Sequence, residues 1–300
     1  MYKKYVDLLT EQNISFKEDL LLAPYSTFSI GGPAKVAVFP RPADDIVFCI
    51  DLADRIGLKH TVIGNASNVL FSDNGFFGVI IFTSACKNVE AKDNMIFAEC
   101  GASFTRLASF AAKNSLSGLE FAYGIPGSVG GAVYMNAGAY GGQVSDVLVS
   151  TMAYDASQRK IVSIDFEGHS FDYRTSIFSK KQELTVLGSC FKLLPGNKEE
   201  ISAKMEELMS KRREKQPLEF PNAGSTFKRP EGLFAGKLIE DCGLKGYRIG
   251  GAEVSEKHAG FIVNRGGATA KDVLLLIDHI KETVLNKFGV SLECEIKYVD

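Results

Sequence analysis

Apolar positions along the 300-residue chain recur at two periods, and the change from one to the other predicts where helices and strands lie. Tyr5, Val6, Leu8 and Leu9 follow a helical spacing within residues 2–12 and predict a peripheral helix. Alternation in KVAVF, residues 35–39, predicts a strand, after which Pro42 opens a predicted helix over ADDIVFCIDLADRIG. A strand at 60–63 runs into the polar turn Gly64-Asn65-Ala66-Ser67-Asn68, and Val69 and Leu70 then resume the apolar pattern. Two short strands are predicted between 78 and 100, followed by a helix that Ser103 caps and that carries Leu107, Phe110 and Ala111 on one face. Residues 147–154 and 160–165 read as a hairpin around Asp155-Ala156-Ser157-Gln158, and 184–194 as a further strand. Beyond Pro195-Gly196, Asn197 and Glu200 cap a helix with the stripe Ile201, Met205, Leu208 and Met209. Thr269 and Asp272 cap a longer one through Val273, Leu276, Ile277, Ile280 and Val284, which Gly289 ends. The closing LECEIKYV alternates, with Leu292, Cys294 and Ile296 on one side and Glu293, Glu295 and Lys297 on the other. Strands with few intervening helices predict an α+β fold.

One stretch breaks both periods. From Gly118 to Gln143, GLEFAYGIPGSVGGAVYMNAGAYGGQ holds seven glycines between Gly124 and Gly142, interleaved with Leu119, Phe121, Ile125, Val129, Val133 and Met135. Backbone stripped of side chains lets a large ligand lie close, and bare N–H groups suit phosphate oxygens. The apolar residues exclude an exposed linker. No GxGxxG follows a strand and no GxxxxGK[ST] occurs, so neither standard nucleotide signature is met.

Composition removes several function classes. Hydrophobic and charged residues make up 45% and 23% of the chain, as in an ordinary globular protein. A net charge of −2 gives no broad attraction to nucleic acid or to a membrane surface. There is no apolar region after Met1-Tyr2-Lys3-Lys4 and no membrane-length apolar run, so a cytoplasmic protein is expected. Six cysteines lie far apart with no CxxC, and only four histidines are present with no HExxH. That predicts no metal site, and reduced cysteines that pack as small core residues.

GIPGSVGGAVYMNAGAYG at 124–141 closely resembles the flavin-binding core of UDP-N-acetylenolpyruvoylglucosamine reductases. Four further segments match that family in order: YSTFSIGGPA at 25–34, IGNASNVLFSDNGFFGVII at 63–81, NAGSTFK at 222–228 and LECEI at 292–296. The resemblance implies a two-part FAD-binding region of the vanillyl-alcohol-oxidase/PCMH type, residues 1–82 and 83–196, and a substrate-binding α+β domain over 197–300. It implies FAD held without a covalent link by Gly64, Asn65, Ala66, Ser67 and Asn68 and by Gly124, Pro126, Gly127, Ser128, Gly130, Gly131, Asn136, Gly138 and Ala139. The family usually has glycine where Ala66 stands. With too few residues between 174 and 222 for a tyrosine-bearing substrate cover, the chain resembles the family's shorter type.

The activity implied is reduction of UDP-N-acetylglucosamine enolpyruvate to UDP-N-acetylmuramate by NADPH, by a monomer. Of the residues themselves, Phe171-Asp172-Tyr173-Arg174-Thr175-Ser176 reads only as a polar cluster with an arginine beside Asp172. The resemblance makes Arg174 an active-site cation, Ser225 the proton donor and Glu295 the stabiliser of the intermediate. Lys211, Arg212, Arg213 and Lys215 suit the C-terminal end of their helix. Arg213, Lys215 and, near Ser225, Lys228 are also candidates to hold the nucleotide-sugar diphosphate. His258 reads as structural. Two alternatives stand beside this reading: an FAD-dependent alcohol or sugar oxidase on the same flavin-binding fold, and a binding module without turnover. NAGSTFK with LECEI argues against the first, and the joint presence of Arg174, Ser225 and Glu295 against the second.

Overall fold

The computed structural model describes residues 1–300, and the chain divides into two compact units, each assembled from three separate segments. The first comprises Met1–Glu18, Val36–Asn65 and Gly78–Lys211. Its N-terminal helix α1 (Tyr2–Glu11) buries Tyr5 and Leu9, one turn apart. Helix α2 (Ala43–Ile56) starts after Pro42, carries Asp44 and Asp45 in its first turn and stops where Gly57 turns left-handed at φ +74°. It buries Ile46, Cys49, Ile50 and Ala53 on one stripe. Burial of each isoleucine of this stripe stabilises by about 1.5–3 kcal/mol. Helix α3 (Phe104–Lys113) is capped by Ser103, whose Oγ accepts from the Arg106 N–H at 3.4 Å.

A five-stranded antiparallel sheet dominates this unit, in the order Lys160–Asp165, Leu148–Asp155, Leu184–Lys192, Met95–Glu99, Val89–Lys92. The predicted hairpin forms two of its strands. A four-stranded sheet has the order Phe16–Leu21, Pro33–Val38, Phe76–Phe82, His60–Ile63. The glycine-rich stretch is not one extended path. It contains the short helix α4 (Val129–Tyr134) and a tight hairpin pairing Gly138–Ala139 with Gly142–Gln143. Helix α5 (Ile177–Lys180) follows the arginine cluster, and α6 (Lys198–Lys215) starts at Asn197, whose Oδ1 accepts from the Glu200 N–H at 3.0 Å. Ile201, Met205 and Leu208 of α6 are buried as the stripe predicts.

The second unit comprises Asp19–Lys35, Ala66–Phe77 and Arg212–Asp300, with its own core around Phe28, Leu70, Phe227, Ile262 and Leu276. It contains helix α7 (Ala235–Asp241), helix α8 (Ala270–Phe288) and a three-stranded antiparallel sheet of Arg248–Ile249, Ala252–Val254 and Ile262–Asn264. The Thr269 and Asp272 side chains each accept from the other's backbone N–H at 3.0 Å, and Gly289 closes α8 at φ +68°. Asp73, from a segment about 200 residues earlier, accepts from the N–H groups of Ala270 and Lys271 at 2.7 and 3.0 Å. The chain's own carboxylate thus occupies this helix N-terminus.

The closing segment alternates as predicted, with Leu292 and Ile296 buried and Glu293 and Lys297 exposed. Regular strand is confined to Lys297–Val299, which pairs in parallel with Val69–Phe71. All six cysteines are free thiols, and Cys49, Cys86 and Cys100 are buried. No group of His, Cys, Asp and Glu side chains could hold a metal ion, and no helix is long and apolar enough to cross a membrane.

Candidate active site

In the first unit the two glycine-bearing segments lie against each other. Residues 124–130 run beside the start of α3. The Phe104 N–H donates to the Gly127 carbonyl at 2.9 Å, Val129 N–H to Ala102 at 2.8 Å and Gly130 N–H to Cys100 at 2.8 Å. Thr105 pins the beginning of the segment, its hydroxyl donating to the Ile125 carbonyl at 3.0 Å and accepting from the Gly124 N–H at 3.2 Å. Ser128, 2% exposed, caps α4 by accepting from the Gly131 N–H at 3.3 Å. Across from it, Asn65 Nδ2 donates to the Pro126 carbonyl at 3.0 Å.

The glycines of this wall have two different causes. A Cβ on Gly64 would lie 2.0 Å from Ser128 Oγ, one on Gly138 2.6 Å from the Gly142 carbonyl oxygen, and one on Gly142 2.6 Å from the Phe121 ring. At these positions the missing side chain is space that the chain itself fills. Gly131 is exposed, and a Cβ there would meet only Ser128 Oγ, at 3.4 Å. That open side, next to the close approach at Gly64 and Asn65, fits a bulky diphosphate-bearing group laid along the backbone.

The turn that begins at Gly64 and Asn65 continues into the second unit as Ala66, Ser67 and Asn68. Ala66 stands at φ +45° and is 4% exposed. An L-residue in this left-handed region is strained, which is the physical reason glycine suits the position. Ala66→Gly is expected to stabilise the flavin-free protein by about 1 kcal/mol, offset in part by loss of the buried methyl. Thermal unfolding checks this, and an unchanged or lower midpoint would show that methyl packing outweighs the backbone strain.

Arg174 occupies a tight turn in the first unit. Asp172 and Thr175 exchange N–H···O bonds at 3.1 Å in both directions, and Arg174 between them has φ +53°. Its guanidinium donates to the Gly138 carbonyl at 2.9 Å and lies 5.0 Å from the Tyr173 ring centroid. The root of this segment is anchored by His169, which is fully buried. Its Nδ1–H donates to the Asp165 carbonyl at 2.6 Å, the Thr151 hydroxyl donates to Nε2 at 2.8 Å, and the ring stacks on Phe171 at 4.9 Å. Burial pushes the His169 pKa down, in the direction that favours the neutral ring of this tautomer.

The other predicted residues belong to the second unit. Ser225 is exposed and follows an Asx turn in which Asn222 Oδ1 accepts from the N–H of Gly224, itself at φ +77°. Two backbone hydrogen bonds hold the Ser225 and Glu295 segments together: the Glu295 N–H donates to the Thr226 carbonyl at 2.8 Å and the Lys228 N–H to the Glu293 carbonyl at 2.9 Å, which pairs Phe227 with Cys294. Asn68 joins them, its Nδ2 donating to the Glu295 carbonyl at 3.2 Å and its own carbonyl accepting from the Lys297 N–H at 3.0 Å. Lys228 forms an ion pair with Glu293. Arg213 and Lys215 are exposed in the last turn of α6, and the Arg213 carbonyl accepts from Lys257 Nζ at 2.7 Å. The His258 Nδ1 accepts from the Gly260 N–H at 3.1 Å, and its ring is edge-on to Phe261.

Sequence reasoning missed Thr27. Its hydroxyl donates to the Asn222 carbonyl at 2.8 Å and its carbonyl accepts from the Asn222 N–H at 3.0 Å, so YSTFSIGG is stitched to NAGSTFK. The only signal was that both segments belong to the set of matched motifs. Of the predicted residues, the fold brings Gly64 and Asn65 to Pro126 and Ser128, Arg174 to Gly138, and Asn68 to the Glu295 segment.

Two family profiles match the chain. One described as FAD binding domain covers residues 34–161, and one described as UDP-N-acetylenolpyruvoylglucosamine reductase, C-terminal domain, covers 216–299. The UDP-N-acetylenolpyruvoylglucosamine reductase of Clostridium novyi is 45% identical over 297 residues, spanning 99% of this chain and 95% of the relative. That of Caldicellulosiruptor saccharolyticus is 47% identical over 293 residues, spanning 97% and 94%. Among solved structures, the UDP-N-acetylenolpyruvylglucosamine reductase of Thermus caldophilus superposes with a TM-score of 0.81 at 33% identity, covering 96% of this chain and 99% of that one.

Proposed function

Because the chain belongs to the family of UDP-N-acetylenolpyruvoylglucosamine reductases, we propose that it reduces UDP-N-acetylglucosamine enolpyruvate to UDP-N-acetylmuramate, with NADPH as electron source. FAD, when bound, supplies the hydride that no amino-acid side chain can give. Residues 64–68 and the wall from Gly124 to Ala139, the inward-turned Asn136 side chain excepted, would hold it. No histidine or cysteine lies in either segment, so nothing there forms the usual covalent link to a flavin.

The chain's own work is to place a cation, a proton and an acid. As negative charge develops on the substrate carboxylate, a preorganised guanidinium stabilises it without having to reorganise, and Arg174 takes this role. Its left-handed turn and the bond to Gly138 fix the guanidinium before substrate arrives. Ser225 protonates the carbon adjacent to the carboxylate. A hydroxyl is too weak an acid for a neutral alkene, and an enolate-like intermediate is basic enough to take its proton. Glu295 stabilises that intermediate from the neighbouring segment. Arg213, Lys215 and Lys228 engage the diphosphate of the nucleotide sugar.

One observation favours this reading over an alcohol or sugar oxidase: residues 216–299, which carry Ser225 and Glu295, match the C-terminal domain of UDP-N-acetylenolpyruvoylglucosamine reductases. The test is anaerobic spectroscopy of the purified protein. NADPH is expected to bleach a bound flavin, and the enolpyruvyl sugar nucleotide to restore its colour. Protein that stays colourless with added FAD would overturn the proposal, and so would a reduced flavin that oxygen reoxidises while the sugar nucleotide does not.

A further inference from the structure

Resting on the reading of Arg174 as the active-site cation, we infer that Asn136 is a positioning residue for Arg174, and that its side chain serves the arginine turn rather than the flavin. Asn136 lies in the glycine-rich wall, two residues beyond the end of α4, and is 2% exposed. Both ends of its carboxamide are engaged with the protein. Nδ2 donates to the Asp172 carbonyl at 3.2 Å and lies 3.5 Å from Gln143 Oε1, while Oδ1 accepts from the Ser145 N–H at 3.0 Å. A buried amide with donor and acceptor both satisfied inside the fold is oriented inward.

Its partner carbonyl is the one that closes the turn of Arg174. The Asp172 carbonyl accepts from the Thr175 N–H at 3.1 Å and from Asn136 at once, so the amide grips the turn at its first residue. Two further bonds tie the same short stretches together. The Arg174 guanidinium donates to the Gly138 carbonyl at 2.9 Å, and the fully buried Ser176 donates to the Tyr134 carbonyl at 2.8 Å. Residues 134, 136 and 138 are therefore tied to residues 176, 172 and 174 respectively, in a clamp of three side-chain-to-backbone bonds. The clamp restrains a backbone that would otherwise relax, since Arg174 at φ +53° is left-handed without being glycine. Asn136 is itself left-handed at φ +42°, a conformation asparagine tolerates better than other residues with side chains. One residue thus supplies both a bend in the wall and the donor that sets the turn.

The experiment is a double-mutant cycle on the FAD-loaded protein, with the two half-reactions followed separately under anaerobic conditions. Asn136→Gly keeps the left-handed backbone accessible and deletes the amide. It is expected to retain FAD and to be reduced by NADPH within about twofold of the parent. Reoxidation by the enolpyruvyl sugar nucleotide is expected to slow about tenfold, the scale on which misplacement of a catalytic group acts. In an Arg174→Ala background the same substitution is expected to cost less than about twofold, because it acts through a side chain no longer there.

Loss of FAD, an equal fall in both half-reactions, or effects that multiply in the double variant would each overturn the inference. Should Asn136→Gly not fold, Ser176→Ala releases the opposite end of the clamp. It is read through the same cycle, with a smaller fall that also vanishes beside Arg174→Ala. Failure of the underlying reading looks different. If Arg174→Ala alone leaves reoxidation unchanged, the role of the arginine falls and the inference with it. If Arg174→Ala slows reoxidation while both Asn136→Gly and Ser176→Ala do not, only the inference falls.

Discussion

Ser225→Ala is expected to leave flavin reduction by NADPH close to the parent rate and to slow reoxidation by the enolpyruvyl sugar nucleotide about 10²–10⁴-fold, the usual worth of a general acid. The first half-reaction involves no protonation of the sugar substrate. The second ends with an intermediate that must take a proton at carbon, and alanine has none to give. Ser225→Cys is expected to recover part of the activity, having similar size and a transferable proton. The structure makes a purely local effect reasonable. Ser225 is exposed within its unit, whereas the neighbouring Thr226 is fully buried and accepts from the Ile262 N–H at 3.1 Å. The Asx turn at Asn222 and Gly224 involves no atom that the substitution removes. Stopped-flow absorbance of the two half-reactions is the measurement. Equal impairment of both would make NAGSTFK a structural turn and move the proton donor to Glu295 or to water.

Arg174→Ala is expected to lower kcat about 10²–10³-fold with little change in binding of the sugar nucleotide, since its charge partner grows mainly as the reaction proceeds. Arg213→Ala is expected to do the reverse, raising KM with kcat nearly preserved, because a diphosphate carries its full charge in ground and transition states alike. The two arginines also differ in setting. Arg174 is half-buried and bonded to Gly138, whereas Arg213 is exposed in the last turn of a long helix. Steady-state kinetics together with equilibrium binding of the sugar nucleotide separate the two effects. Matching binding defects in both variants would show that the division of labour is wrong.

Much of this is legible in the amino-acid sequence. Ser103, Asn197 and the Thr269–Asp272 pair each cap a helix where they were expected to, and the hairpin over 148–165 forms around its polar turn. These features depend on residues three or four positions apart, or facing each other across a short loop, and the helical and strand periods record such neighbours directly. The matched motifs likewise identify the segments that bear Gly64, Ser128, Arg174, Ser225 and Glu295, because the residue types themselves carry the signal.

What those segments do to one another was decided only by the tertiary structure. Nothing local to Thr27 shows that it bonds Asn222, nothing near Asp73 that it occupies the N-terminus of α8, and nothing in MNAGAYG that its asparagine holds a turn 36 residues away. The same holds for the glycines, since the sequence spells Gly64 and Gly131 alike while the fold fills one missing side chain with Ser128 and leaves the other open. Left-handed backbone at Ala66, Asn136 and Arg174 was equally silent in composition. The physical reason is range. Propensity and periodicity are settled by a residue's own neighbours, whereas a contact between residues 68 and 295 requires closing a loop of more than 200 residues, and only the packing of each unit's complete core favours one closure over the rest.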